Sequence, residues 1–363
     1  MASPKNDLHV ALMPGDGIGV EVTEAAMGVL GKLVRRHGLG LSTETLQAGA
    51  FAYQQTGTAF SEEAFRRAES ADAILLGAMG WPGIRYPDGT EISPQLDLRF
   101  RLGLYAGVRP IRAIPGVPVA LADPRAAKMD LVILRESTEG LFWARGRGEV
   151  IGDAEARDTM VITRATTERL SRFAFRLAER RAQRLGRAQK VTLVDKANVF
   201  TSMAFMRKVF REVAAEFPHV PAGEHYVDAL ALDLVRRPWD FDVLPMENMF
   251  GDIISDLGAG LIGGMGYAPS ADIGDTHAVF QPSHGTGPDI AGKGIANPTA
   301  MILSAALMLD WLGARGAGQA WSDAATELES AVDAAFAGGL RSAEFGGVGT
   351  AEVAKAIAAR IPG

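Results

Sequence analysis

No cysteine occurs among the 363 residues, which excludes disulfides, thiolate zinc sites, iron–sulfur ligation and a cysteine nucleophile, and makes a reducing cytoplasm the natural setting. A membrane-spanning run is lacking too. The longest apolar stretch, Ala300 to Leu309, falls short of the roughly 20 residues that cross a bilayer, and it reads as a buried helix. Met1 to Asp7 hold no apolar signal core, and the first apolar run, Val10 to Met13, is stopped at once by Pro14 and Gly15. Nor is there an excess of positive charge: at a net −6 the chain has no general attraction for phosphate backbones. The arginine-rich stretch from Arg164 to Arg187 alternates with apolar residues at helical spacing, without interleaved surface aromatics or a binding motif, and reads as a solvated helix face, not a nucleic-acid patch. No internal repeat or low-complexity linker is visible.

What is present is the composition of a globular protein, 47% hydrophobic and 22% charged, long enough for a large core or two domains. Short apolar runs bounded by turn residues (Val10–Met13, Ala73–Leu76, Leu131–Leu134, Val191–Val194, Asp242–Leu244) alternate with helical patterns such as Val20–Val34 and Glu168–Leu185. This predicts an α/β chain with a mainly parallel sheet covered on both faces. The glycine-rich stretch from Gly258 to Gly287 breaks the rhythm and is expected to form loops that wrap a ligand.

Gly251-Asp252-Ile253-Ile254-Ser255-Asp256 carries two carboxylates four residues apart, which a helix places on one face. Such oxygens suit a hard divalent cation, Mg²⁺ or Mn²⁺. Taken alone the pair is better explained as a solvated acidic face; the rest of the chain turns it toward a metal site. Pro14-Gly15-Asp16-Gly17-Ile18-Gly19 joins the first strand to the first helix, where backbone N–H groups can face a ligand, but its spacing is not that of a dinucleotide fingerprint, and a plain tight turn explains it equally well. His284-Gly285-Thr286-Gly287-Pro288-Asp289-Ile290-Ala291-Gly292, followed by Asn297-Pro298, combines imidazole, carboxylate and amide in a pliant loop able to hold an adenosine. There an aspartate would accept from both ribose hydroxyls and repel a 2′-phosphate, favouring NAD over NADP. Arg99, Arg109 and Arg135 could clamp a di- or tricarboxylate bidentately if they converge, although each singly reads as a surface residue. Lys196 follows a buried-looking strand and could act as a base beside a metal-bound hydroxyl, or simply snorkel to solvent.

Taken together, these residues resemble the β-decarboxylating dehydrogenases: isocitrate, 3-isopropylmalate, homoisocitrate and tartrate/D-malate dehydrogenases. The likeness runs nearly end to end, through the Pro14–Gly19 cluster, Leu98-Arg99 with Arg109-Pro110, Arg135-Glu136-Ser137-Thr138-Glu139-Gly140, Asp195-Lys196-Ala197-Asn198, Asn248-Met249-Phe250-Gly251-Asp252 and the His284–Pro298 loop. It implies the isocitrate/isopropylmalate dehydrogenase-like two-domain fold, not a standard Rossmann fold, with an outer cofactor-binding domain (1–104 plus 262–363) and an inner dimerisation and metal/substrate domain (105–261). It also implies a homodimer with shared active sites, in which Lys196 and Asp228 reach the partner's cleft. Asp252, Asp256 and the partner's Asp228 would bind the metal, Arg99, Arg109 and Arg135 the substrate carboxylates, and Lys196 would be the base. Ile18, His284, Gly285, Thr286, Asp289, Ile290 and Asn297 would hold NAD. The implied reaction is oxidation of a 2-hydroxy acid followed by loss of its β-carboxylate.

The chain departs from that pattern at three positions. Phe142 stands where the family usually has a tyrosine that helps protonate the enol, Gln281 stands for a glutamate, and Gly287 for an alanine. In the segment before Arg99 that sets substrate choice, isopropylmalate enzymes have a glutamate and two leucines; here Leu96 remains beside Ser93 and Gln95, against a wholly apolar pocket. A broad malate-type substrate ranks first, then tartrate or D-malate, then isopropylmalate and isocitrate. The alternative to an enzyme is a catalytically silent subunit of a hetero-oligomer, favoured by Phe142 and Gln281 and opposed by retention of the three arginines, Lys196 and the three aspartates. A nucleotide-binding protein without redox chemistry would leave the metal pair without a task.

Overall fold

The apolar runs become strands of one ten-stranded sheet. The computed structural model describes residues 7–363, so the reading of Met1 to Asp7 as free of a signal core lies largely outside the described residues. In chain order the elements are β1 (Asp7–Gly15), α1 (Ile18–Arg36), β2 (Gly40–Thr45), α2 (Ala50–Thr56), α3 (Glu62–Ser70), β3 (Ala73–Ala78), α4 (Pro94–Arg101), β4 (Ala106–Arg112), β5 (Asp130–Glu136), a hairpin of β6 (Glu149–Ile151) and β7 (Glu155–Arg157), α5 (Arg164–Leu185), β8 (Val191–Asp195), α6 (Thr201–Ala214), β9 (Ala222–Tyr226), α7 (Val227–Arg236), β10 (Val243–Met246), α8 (Asn248–Leu261), β11 (Pro269–Ile273), β12 (Ala278–Pro282), α9 (Thr299–Leu312), α10 (Gln319–Ala337) and α11 (Thr350–Ala358).

The strand order is β2-β1-β3-β12-β11-β4-β5-β10-β8-β9. Two parallel blocks, β2-β1-β3-β12 and β5-β10-β8-β9, are joined through antiparallel pairings of β12 with β11, β11 with β4 and β4 with β5. The fold is therefore α/β with a mainly parallel sheet, as expected, and its antiparallel centre is where both ends of the chain meet the middle. Side chains alternate across these central strands. Arg109, Ile111, Ile133 and Arg135 point to the face covered by α8, whereas Val108, Pro110 and Val132 point to the face covered by α5 and α9.

Helix α9 with its continuation, Thr299–Ala317, is long and apolar enough by composition to cross a membrane. Nearly all of α9 is nevertheless buried against β3, β11, β12 and α10, so it serves as the core helix that its sequence suggests. The arginines of α5 do form an ionic face, pairing with Glu168, Glu212 and Glu216.

One expectation fails. The stretch from Gly258 to Gly287 is not a set of loops: it holds the end of α8 and two buried central strands, β11 and β12. Its glycines lie at junctions between elements and inside α8, while the strand segments Pro-Ser-Ala-Asp-Ile and Ala-Val-Phe-Gln-Pro, apart from Asp272 and Gln281, have small or apolar side chains that fit a two-sided core. Composition averaged over the window hid the strands. Only the end of the stretch, residues 283–287, belongs to a loop facing a cavity.

Candidate active site

Helix α8 begins where Glu247 accepts from the backbone N–H groups of Met249 and Phe250 at 2.9 and 3.2 Å, which satisfies donors that a helix start leaves free. One turn later Gly251 lies against β5, and a Cβ there would sit 2.6 Å from the Cβ of Arg135. The glycine thus lets α8 approach the sheet and brings Asp252 to Arg135, whose Nη1 donates to Asp252 Oδ1 while its Nε donates to Asn248 Oδ1 at 2.8 Å. Asp252 and Asp256 share one helix face as predicted. Burial raises the pKa of Asp256, and the Asp252 charge raises it further. Two carboxylates in that position are relieved by a cation.

The three arginines converge. Arg99, Arg109 and Arg135 are 5%, 6% and 5% exposed and line one cavity of about 620 Å³ together with Asp252, Asp256, Ser93, Gln95, Phe142, Gln281 and His284. The sequence reading missed the residue that organises them, Asp272. Its Oδ2 accepts from Arg99 Nη2 at 3.0 Å and from Gln281 Nε2 at 2.9 Å, and its Oδ1 accepts from Arg109 Nη2 at 3.3 Å. Burial alone would raise the pKa of Asp272, but Arg99 and Arg109 outweigh it and hold the group at about 2. Burial, reinforced by the neighbouring Arg99 charge, lowers Arg135 to about 10. No local motif marks Asp272, because its charged partners, Arg99 and Arg109, lie 173 and 163 positions away in the chain.

Several polar atoms here lack partners. Arg99 Nε, Gln95 Oε1 and His284 Nε2 are buried without a hydrogen bond, a state that costs free energy until a ligand supplies the missing contact. A second cleft, about 470 Å³, lies on the opposite face of β4, β5 and β11, but its arginines are already satisfied: Arg112 by Asp333, Arg180 by Asp310, Arg181 by Asp130 and Arg184 by Glu329. The unsatisfied groups single out the first cavity.

The glycine loops interlock beside it. Ile18 N donates to Thr286 O at 2.8 Å, and the Asp16 carboxylate accepts from Ala50, Phe51 and Gly80 N–H groups, which makes the first cluster a braced turn. His284 keeps Nδ1 on Gly285 O at 2.9 Å, and burial lowers its pKa, favouring the neutral ring. Asp289 is exposed and Ile290 half-buried on the same loop. Asn297 is more committed than expected, accepting from Thr299 N and Oγ1 and donating to Glu344 at 2.8 Å. Lys196 and Asp228 lie outside the cavity and pair with each other, Nζ to Oδ1 at 2.6 Å. Among the described residues no cluster of three His, Asp or Glu side chains encloses a metal within this chain, so Asp252 and Asp256 offer hard oxygen donors but an incomplete set.

The sequence model of isocitrate/isopropylmalate dehydrogenases matches residues 9–357. The chain belongs to that family. Within the isocitrate/isopropylmalate dehydrogenase family it is 40% identical over 354 residues to the 3-isopropylmalate/3-methylmalate dehydrogenase of Methanocaldococcus jannaschii, covering 97% of this chain and 98% of the relative. It is also 40% identical to the 3-isopropylmalate dehydrogenase of Methanothermobacter thermautotrophicus, with 97% and 98% covered. Among solved structures it superposes on isocitrate dehydrogenase from Methylococcus capsulatus with a TM-score of 0.84 at 36% identity, over 98% of this chain and 99% of the other. For the apo β-decarboxylating dehydrogenase of Thermococcus kodakarensis the TM-score is 0.79 at 36% identity, over 98% and 96%. The protein is a dehydrogenase of the β-decarboxylating type.

Two departures from the family pattern now have physical readings. Gln281 and Asp272 are diagonal neighbours on β12 and β11, and the carboxylate that position 281 lacks is supplied by Asp272, to which the Gln281 amide donates. A glutamate at the half-buried position 281 would set a second carboxylate against the buried Asp272. Gly287 has φ +50°, and a Cβ there would lie 3.1 Å from Ile18 Cδ1, so alanine would be strained in this loop. Phe142 lines the cavity with its ring 5.0 Å from the Arg135 guanidinium, buttressing it but bringing no hydroxyl.

Proposed function

We propose that this family member carries out NAD- and divalent-metal-dependent oxidative decarboxylation of a 3-substituted, malate-type 2-hydroxy acid in the cytoplasm. The observation that carries the reading is the convergence of three nearly buried guanidinium groups and the Asp252/Asp256 pair in one cavity. In it, Arg99, Arg109 and Arg135 grip the substrate carboxylates through the N–H groups that Asp272, Asp252 and Asn248 leave free. Asp252 and Asp256 would hold Mg²⁺ or Mn²⁺ with Asp228 of a second copy, and the bound cation supplies electrophilic assistance to oxidation and to departure of the β-carboxylate. Lys196 of that copy takes the proton from the 2-hydroxyl. Because Phe142 has no proton to give, the enol formed on loss of CO₂ is protonated by Lys196 or water.

For NAD, the loop of His284, Gly285, Thr286, Asp289 and Ile290, with Ile18 and Asn297 behind it, fits an adenosine: His284 offers an unpartnered buried Nε2 and Asp289 a free carboxylate for ribose hydroxyls. The homodimer is supported by apolar side chains left exposed between β8 and α6, on α7 and on α8, namely Val199, Phe200, Leu232, Val235 and Ile253, and by Val150 and Ile151 on the β6–β7 hairpin. The sheet supports the partition into an outer domain, 1–104 plus 262–363, and an inner one, 105–261, since strands from the two chain ends form one half of it.

The reading is tested by following reduced nicotinamide at 340 nm with purified protein and Mn²⁺, offering NAD or NADP with D-malate, tartrate, 3-isopropylmalate, homoisocitrate and isocitrate. Metal-dependent NADH formation from at least one acid is expected. NADPH formation alone would remove the role given to Asp289, and silence across the panel with a folded dimer would favour a subunit without chemistry of its own.

A further inference from the structure

We infer that Arg145, with Ser93 and Gln95, recognises an oxyanion on the C3 substituent of the substrate, so that the preferred acid is a hydroxytricarboxylate and not a malate with an apolar branch. The inference rests on the function proposed above and names the substrate class for it. Arg145 follows a short 3-10 turn, Leu141–Ala144, and lines the same cavity as the three clamping arginines. Its Nη2 donates to Ser93 Oγ at 3.2 Å, which places the guanidinium at the start of α4, the helix that carries Arg99.

Its charge differs from the others in being unspent. Arg99 and Arg109 are bound to Asp272 and Arg135 to Asp252, whereas Arg145 has no carboxylate within ion-pair distance among the described residues. Asp97 lies close enough to feel it, and Glu91 contributes a carboxylate to the same cavity wall, but neither forms an ion pair with it. Beside it the Gln95 carboxamide has a buried end without a hydrogen-bond partner, and a carboxamide can turn either its oxygen or its NH₂ toward a ligand. An isopropyl branch packed here would cover a guanidinium, a hydroxyl and an amide while satisfying none of them, which is unfavourable. A third carboxylate would instead take a charge-assisted bond from Arg145 together with donors from Ser93 and Gln95. Arg99, Arg109 and Arg135 remain sufficient for the two carboxylates every malate carries.

The test compares wild type, Arg145→Gln and Arg145→Lys with isocitrate, homoisocitrate, 3-isopropylmalate and D-malate, reading kcat and KM separately. Wild type is expected to favour a tricarboxylate. Arg145→Gln should lower kcat/KM for that acid by about tenfold to a hundredfold more than for D-malate, chiefly through KM, and lysine should recover part of the loss. Equal losses on every acid, no loss on any, or 3-isopropylmalate as the best substrate would overturn the inference while leaving the proposed chemistry standing. Calorimetry with the unreactive pair tricarballylate and succinate reads the same preference without turnover. A tricarboxylate preference that disappears in Arg145→Gln, in a protein that oxidises none of the acids, would sustain the role of Arg145 and sink the proposed reaction.

Discussion

Asp252→Asn is expected to lower kcat/KM by about a hundredfold to a thousandfold, the scale set by losing one preorganised electrostatic contact to a reacting centre. The substitution keeps the side-chain shape and removes its charge. The Asp252 side chain is 51% exposed, so no core packing is lost, and α8 keeps its Glu247 cap. Two further effects identify the cause. Asp256, whose pKa is raised partly by the Asp252 charge, should titrate lower in the variant. Arg135 should remain in place through its bond to Asn248. Initial rates across a Mn²⁺ titration, with Mn²⁺ binding followed by electron paramagnetic resonance, make the check; a variant that binds Mn²⁺ and turns over like wild type would remove Asp252 from the proposed metal site.

Asp272→Ala should be the most destabilising change near the cavity, by about 3–5 kcal/mol, because removing one member of a buried ion pair leaves the remaining charges uncompensated. Here two guanidinium groups, Arg99 and Arg109, lose their shared partner, and Gln281 loses the acceptor for its amide. Denaturant midpoints measure the loss, and KM for the acid should rise with it as the arginines leave their set positions. The double variant Asp272→Asn/Gln281→Glu moves the carboxylate across the β11–β12 pair and is expected to recover much of what Asp272→Asn alone loses. Acid adds a second check. The folded-state pKa of Asp272, about 2, is below the unfolded value near 3.9. The group therefore contributes its full stability above about pH 4 and loses it as pH falls toward 2, so wild type and Asp272→Asn should converge across that interval. Stability curves that stay parallel down to pH 2 would assign the ion cluster no net role.

Much of this was legible in the residues because it is local. A spacing of four between Asp252 and Asp256 implies one helix face whatever the helix packs on, and apolar runs such as Leu131–Leu134 mark buried strands regardless of their neighbours. What escaped is non-local. Asp272 acquires its meaning only when β11 pairs with β4, bringing it to Arg109 from 163 positions away in the chain. Its strand was masked by surrounding glycines. Gln281 looked like a defect because the compensating carboxylate lies on the neighbouring strand, and Arg145 carried no motif at all.

The separation of Lys196 and Asp228 from the cavity that holds Asp252 has a genetic consequence under the proposed dimer. Lesions on the two sides of that division are not equivalent. A chain lacking Lys196 still offers an intact pocket, and one lacking Asp252 still offers an intact lysine, so each allele silences its own homodimer while a mixed dimer reassembles one complete centre out of two. Co-expressing the two defective alleles should therefore restore up to about a quarter of wild-type activity, since half of randomly assorted dimers are mixed and each has one of its two centres whole.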